Sequence, residues 1–172
     1  MFFICIFRFH CGGSLLSSDT VLTAAHCVAI PFPEISMNGT IPIVIGIKLH
    51  YLSIENIIVV AGDITQSKEE GTEQTIKVID RIIHQSFLKN DFIKGNVDND
   101  FAILKLAKPV AFTKYVNPIC LPQSSNKNFD SVEAMASGWG SLDKVPILPP
   151  LPHSDVLQKV KKVLKLIVLR FA

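Results

Sequence analysis

Apolar and polar residues alternate over several short stretches of the chain, and no apolar run reaches the roughly 18 residues that a membrane-crossing helix requires. The recurrent runs are "GSLLS", "TVLTAA", "IIVVAG", "QTIKVIDRII" and "FAILKLA". They are rich in β-branched residues and separated by turn formers, which is the texture of strands. In "TIKVIDRII" and "FAILKL" apolar residues fall at nearly every second position, as in a strand with one wet face. The pattern predicts an all-β fold, a barrel or a sandwich.

Three stretches depart from this pattern. Residues 28 to 58 are apolar, punctuated by proline and too long for a simple connection, with a composition that suggests neither a strand pair nor a polar surface loop. The segment "VPILPPLPH", 145 to 153, reads as an extended proline-rich linker. Beyond it, Val156, Leu157, Val160, Val163, Leu164, Ile167, Val168 and Phe171 fall within an arc of about 140° at helical spacing, which predicts an amphipathic C-terminal helix.

At 172 residues, 48% of them hydrophobic, the chain suits one domain or a large part of a bigger one. Its formal charge of +2 hides an asymmetry, because Lys159, Lys161, Lys162, Lys165 and Arg170 crowd the end without an acid, leaving the remainder net negative. No basic stripe crosses the globular part, so nucleic acid is not an expected partner. The cationic end is compatible with a membrane-surface helix, although an altered reading end accounts for it equally well and is preferred.

Of the four cysteines, Cys5, Cys11, Cys27 and Cys120, none forms a C-x-x-C pair, which disfavours a zinc site and favours a disulfide. Asn38 opens the sequon Asn38-Gly39-Thr40, which fits an extracellular protein. The N-terminal "MFFICIFRFH" lacks the basic region and small-residue cleavage site of a signal peptide, so an upstream start is expected. His26 lies in "VLTAAHC", and a lone histidine is more often structural than catalytic.

The stretch "CGGSLLSSDTVLTAAHC", residues 11 to 27, resembles the start of a trypsin/chymotrypsin-like serine protease domain, and "NDFAILKLAKPV" resembles the segment that bears the family's catalytic aspartate. The motifs "VVAGD", "EQTIKVIDRIIHQSF", "VNPICLP" and "ASGWG" follow in the family's order, and several collinear motifs are far more specific than one. The resemblance implies an antiparallel β-barrel, the first of the family's two, and an activity on protein or peptide substrates that requires no cofactor. It implies His26 as general base, Asp100 as its orienter and a Cys11–Cys27 disulfide, whose loop would contribute about 3 kcal/mol in the chain-entropy model. Cys120 matches a cysteine that commonly tethers an upstream segment; Cys5 could pair with it, and a free thiol is an equal alternative. Asp63, Glu70 and Glu73 match acidic positions of a calcium loop found in some members, with a solvated acidic loop as the alternative.

The resemblance also sets expectations by what it does not find. No G-D-S-G-G-P motif or I-V-G-G activation sequence occurs among the 172 residues, so the nucleophilic serine and oxyanion donors are expected to be missing. Residues 1–153 then read as a partial protease domain carrying an insertion at 28–58, and 154–172 as a basic apolar tail in place of the second barrel. Three roles follow: a serine endopeptidase known through part of its chain, a noncatalytic binding or regulatory homologue, and a nonfunctional truncated product with an exposed apolar face.

Overall fold

A computed structural model describes residues 4–6, 11–38, 40–90, 92–122, 129, 131–140 and 153–163. Six strands close into an antiparallel barrel in the order β1-β2-β3-β8-β7-β6. These are β1 (Ile4–Ile6), β2 (Cys11–Ser17), β3 (Thr20–Thr23), β6 (Ile58–Ala61), β7 (Gln74–Ile83) and β8 (Ala102–Leu106). Between β3 and β6 run β4 (Ala29–Asn38) and β5 (Ile41–Tyr51), and after β8 come β9 (Glu133–Gly138) and β10 (Gln158–Val163).

Alternation directs the barrel interior. Val21 and Thr23 of β3 and Ala102, Leu104 and Leu106 of β8 point inward, where Leu15, Val59, Ile76 and Val78 meet them. Fully buried Phe87, with Val110 and Val116, extends this core beyond the strands. On β7 the register shifts between Val78 and Asp80, and this bulge changes the phase of the strand, so that Ile83 packs against the core while Ile82 is 55% exposed.

The segment 28–58 departs from expectation, because it contains a strand pair. β4 and β5 form a two-stranded ribbon with ten paired positions and a register shift at Glu34/Ile35. Two of its three prolines are compatible with this for a geometric reason. The amide of Leu52 donates to Val28 O, and bonded positions alternate from there, so Pro31 and Pro33 face the free edge, where no amide is required. Arg81 anchors the base of the ribbon: its guanidinium donates to Leu52 O, reaches Val28 O at 3.4 Å and lies 5.3 Å from the centroid of the Tyr51 ring.

The predicted C-terminal helix is also corrected. Residues 158–163 form β10, which pairs antiparallel with β9 from Gln158↔Gly138 to Val163↔Glu133. Helical periodicity in a short isolated segment is marginal in water, whereas pairing with β9 satisfies the same backbone groups cooperatively. Lys161 adds an exposed ion pair to Glu133 at 3.1 Å. Residues 164–172, with the rest of the apolar arc, and the linker residues 145–152 lie outside the described residues.

Just after β6, Gly62 has a φ of +84°, and a Cβ there would stand 2.5 Å from Thr72 O and 3.0 Å from Val116 Cγ2. Both backbone conformation and space therefore exclude a larger residue. Gly62→Ala is expected to cost about 2 kcal/mol, measured as a lower urea midpoint at unchanged slope.

Candidate active site

His26 sits on a 3-10 turn, Ala25–Cys27, that begins where β3 ends. Ala24 is still extended, and the amides of Cys27 and Val28 close the turn on Ala24 O and Ala25 O. Ala25 is wholly buried, which leaves the next residue to project outward. The Cys11–Cys27 disulfide, formed as the resemblance implied, ties this turn to the start of β2, and Thr23 Oγ1 adds a hydrogen bond to Gly12 O at 2.9 Å. Cys120 is an exposed thiol outside any disulfide among the described residues, and the side chain of Cys5 lies outside them.

Asp100 approaches from the neighbouring strand. Thr23 of β3 pairs with Ala102 of β8, so the two segments that carry His26 and Asp100 leave the barrel side by side. Asn99 holds a φ of 59°, a left-handed conformation that asparagine adopts more readily than most residues, and it turns the following carboxylate toward the imidazole. Asp100 Oδ1 accepts the His26 backbone N–H at 2.8 Å, and Oδ2 lies 2.6 Å from His26 Nδ1. The Asp100 side chain is only 5% exposed, whereas that of His26 is 48% exposed.

This asymmetry matters chemically. An ionised carboxylate only accepts hydrogen bonds, so the neutral ring carries its proton on Nδ1 and leaves Nε2 as the basic nitrogen. Nε2 lies 3.7 Å from Cys27 Sγ. The arrangement can take a proton at Nε2 and stabilise the resulting imidazolium through Asp100, which is the work of a general base with an orienter.

The acidic positions converge as well. Ligand oxygens of Asp63, Glu70 and Glu73 lie within 4.8 Å of one another. Glu73 accepts the amides of Glu70 and Gly71, and these hydrogen bonds lower its pKa. Burial, followed by the charges of Glu70 and Glu73, raises the pKa of Asp63. Asp63 Oδ1 and Glu70 Oε2 are buried without a hydrogen-bond partner. A fourth acid escaped the sequence reading: Asp155 accepts Ser67 N and Ser67 Oγ, and its charge adds to the upward shift of Asp63. The Thr65↔Val156 bridge brings it near, with Gln66 N donating to Asp155 O and Leu157 N to Ile64 O, and no local motif signals that pairing.

A family model described as Trypsin matches residues 3–164. The venom serine protease Bi-VSP of Bombus ignitus is 37% identical over 136 residues, which cover 77% of this chain and 30% of that protein. Trypsin-1 of Astacus astacus is 33% identical over 155 residues, covering 90% of this chain and 53% of that protein. The chain thus spans about half or less of the curated relatives it matches. A family match running through nearly the whole chain agrees with the closed barrel and its disulfide, and the chain belongs to the trypsin family of serine proteases.

Proposed function

We propose that this chain supplies the general base and the orienting carboxylate of an extracellular serine endopeptidase that cleaves protein or peptide substrates. The observation that carries the reading is the buried Asp100 carboxylate bonded to both the backbone and the ring of His26. In peptide hydrolysis His26 Nε2 takes the proton of an attacking serine hydroxyl and returns it to the leaving amine, while Asp100 holds the ring and balances its charge. The nucleophile and the oxyanion donors are assigned to a second barrel, since no G-D-S-G-G-P motif lies within these residues. The disulfide and the venom origin in the name of one relative support an extracellular setting.

As a 172-residue polypeptide the chain is expected to be inactive. A fluorophosphonate probe should leave it unlabelled, and stoichiometric labelling of one serine would overturn the assignment. Sequencing the transcript beyond the codon for Val160 tests the larger reading. A downstream G-D-S-G-G-P segment is expected; without one, the endopeptidase reading gives way to a noncatalytic homologue.

The acidic cluster fits a hard cation such as calcium, which would neutralise Asp63, Glu70 and Glu73 and occupy the unpartnered oxygens of the first two. Because the folded pKa of Asp63 is raised, the cation-free native chain binds more protons than the unfolded chain between the ordinary carboxylate value and that raised value. Asp63 therefore costs the cation-free fold stability as pH rises through this window. Millimolar calcium is expected to raise Tm, and by more at pH 7 than at pH 4, with protons released on binding. A calorimetric titration without heat above background at millimolar calcium would dispose of the site.

A further inference from the structure

The ribbon of β4 and β5 carries an apolar surface that its own charges do little to offset. Between residues 29 and 51 the only formal charges are Glu34 and Lys48. Phe32, Ile35, Met37, Ile41, Val44 and Ile45 are all more than half exposed. Among the described residues both outer edges near the tip lack a strand partner, since β4 and β5 pair there only with each other. Such an edge invites pairing with another chain unless something covers it.

The one sequon of the chain lies at this tip. Asn38 is the last residue of β4 and Thr40 directly precedes β5, and both are exposed. Directly opposed residues share a face of a sheet. The register places Asn38 opposite Ile41 and Ser36 opposite Ile43, so Asn38 projects from the same face as Ile41, 68% exposed, and Ile43, 43% exposed. A bulky polar group on Asn38 would stand over these two side chains and obstruct a strand approaching the tip.

We propose that Asn38 carries an N-linked glycan, and that this glycan keeps the tip of the ribbon from pairing with a second copy of the chain. Transfer forms a bond from Asn38 Nδ2 to the anomeric carbon of a polyisoprenyl-diphosphate-linked oligosaccharide, breaks the bond from that carbon to the diphosphate, and gives the amide proton to the transferase. The inference rests on the extracellular part of the proposed function and is independent of proteolysis.

The test expresses the full chain behind a cleavable secretory leader in glycosylating eukaryotic cells, beside Asn38→Gln and Thr40→Ala, and analyses the translocated protein whether released or retained. Most wild-type chains should carry a glycosidase-sensitive modification on the peptide containing Asn38, and neither variant should. Enzymatic deglycosylation of the native protein should convert a monomer into concentration-dependent oligomers by light scattering, and Ile41→Ser with Ile43→Ser should restore the monomer. Translocated chain with an intact Cys11–Cys27 bond and an unmodified Asn38 would overturn the site. A glycosylated chain that stays monomeric after deglycosylation would overturn the covering role. Neither result would bear on His26 and Asp100, because no readout depends on peptide cleavage.

Discussion

Asp100→Asn in the complete protease is expected to lower kcat by about ten-thousand-fold, the magnitude known for Ser-His-Asp triads of this family. The geometry gives the reason. Both oxygens of Asp100 accept hydrogen bonds, one from the backbone of His26 and one from Nδ1. An asparagine can keep only one oxygen, and the backbone N–H cannot become an acceptor, so the amide oxygen stays there and the NH2 group faces Nδ1. Nδ1 must then be unprotonated, which moves the ring proton to Nε2 and blocks the nitrogen that should receive the proton of the nucleophile. The 172-residue chain offers a direct check by nitrogen NMR. The neutral His26 ring should carry its proton on Nδ1 in the wild type and on Nε2 in the variant. A variant with the wild-type tautomer, or a loss of kcat under tenfold, would remove Asp100 from the mechanism.

Replacing both Cys11 and Cys27 by alanine is expected to cost about 3 kcal/mol, because the bond closes a loop with a sequence separation of 16. For a chain of this size that corresponds to a fall in Tm of roughly 6 to 12 °C. Alanine is preferred to serine at this site because Cys27 is buried, and a hydroxyl there would add an unsatisfied polar group. The covalent link joins the start of β2 to the turn that carries His26. Without it, Thr23 Oγ1 to Gly12 O remains as a bond between the two strands near that turn. A loss below about 1 kcal/mol in urea titration would show that the ladders alone position this corner of the barrel.

Sequence patterns located the barrel strands well where packing follows local alternation. "QTIKVIDRII" coincides with β7, "FAILKLA" brackets β8 and "GSLLS" falls inside β2. The bulge after Val78 was not legible, since one looped-out residue leaves the amino-acid pattern intact while reversing which side chains face the core. The ribbon and β10 were misread for a different reason. Their strand character comes from a partner, β5 for β4 and β9 for β10, rather than from period-two patterning. His26 and Asp100 were legible through motifs alone. Their convergence depends on the Thr23↔Ala102 rung and on the left-handed Asn99, neither of which periodicity could supply.

The hydrogen bond from the His26 amide to Asp100 Oδ1 joins residues 74 apart in sequence. It lies beside the Thr23↔Ala102 rung, so this single N–H is expected to report the docking of β3 against β8. Its deuterium exchange should remain fast in any partly folded species, even one whose local hairpins are already protected. It should slow only when β8 docks, with the two residues assigned to proton transfer becoming neighbours in the same event that seals the barrel.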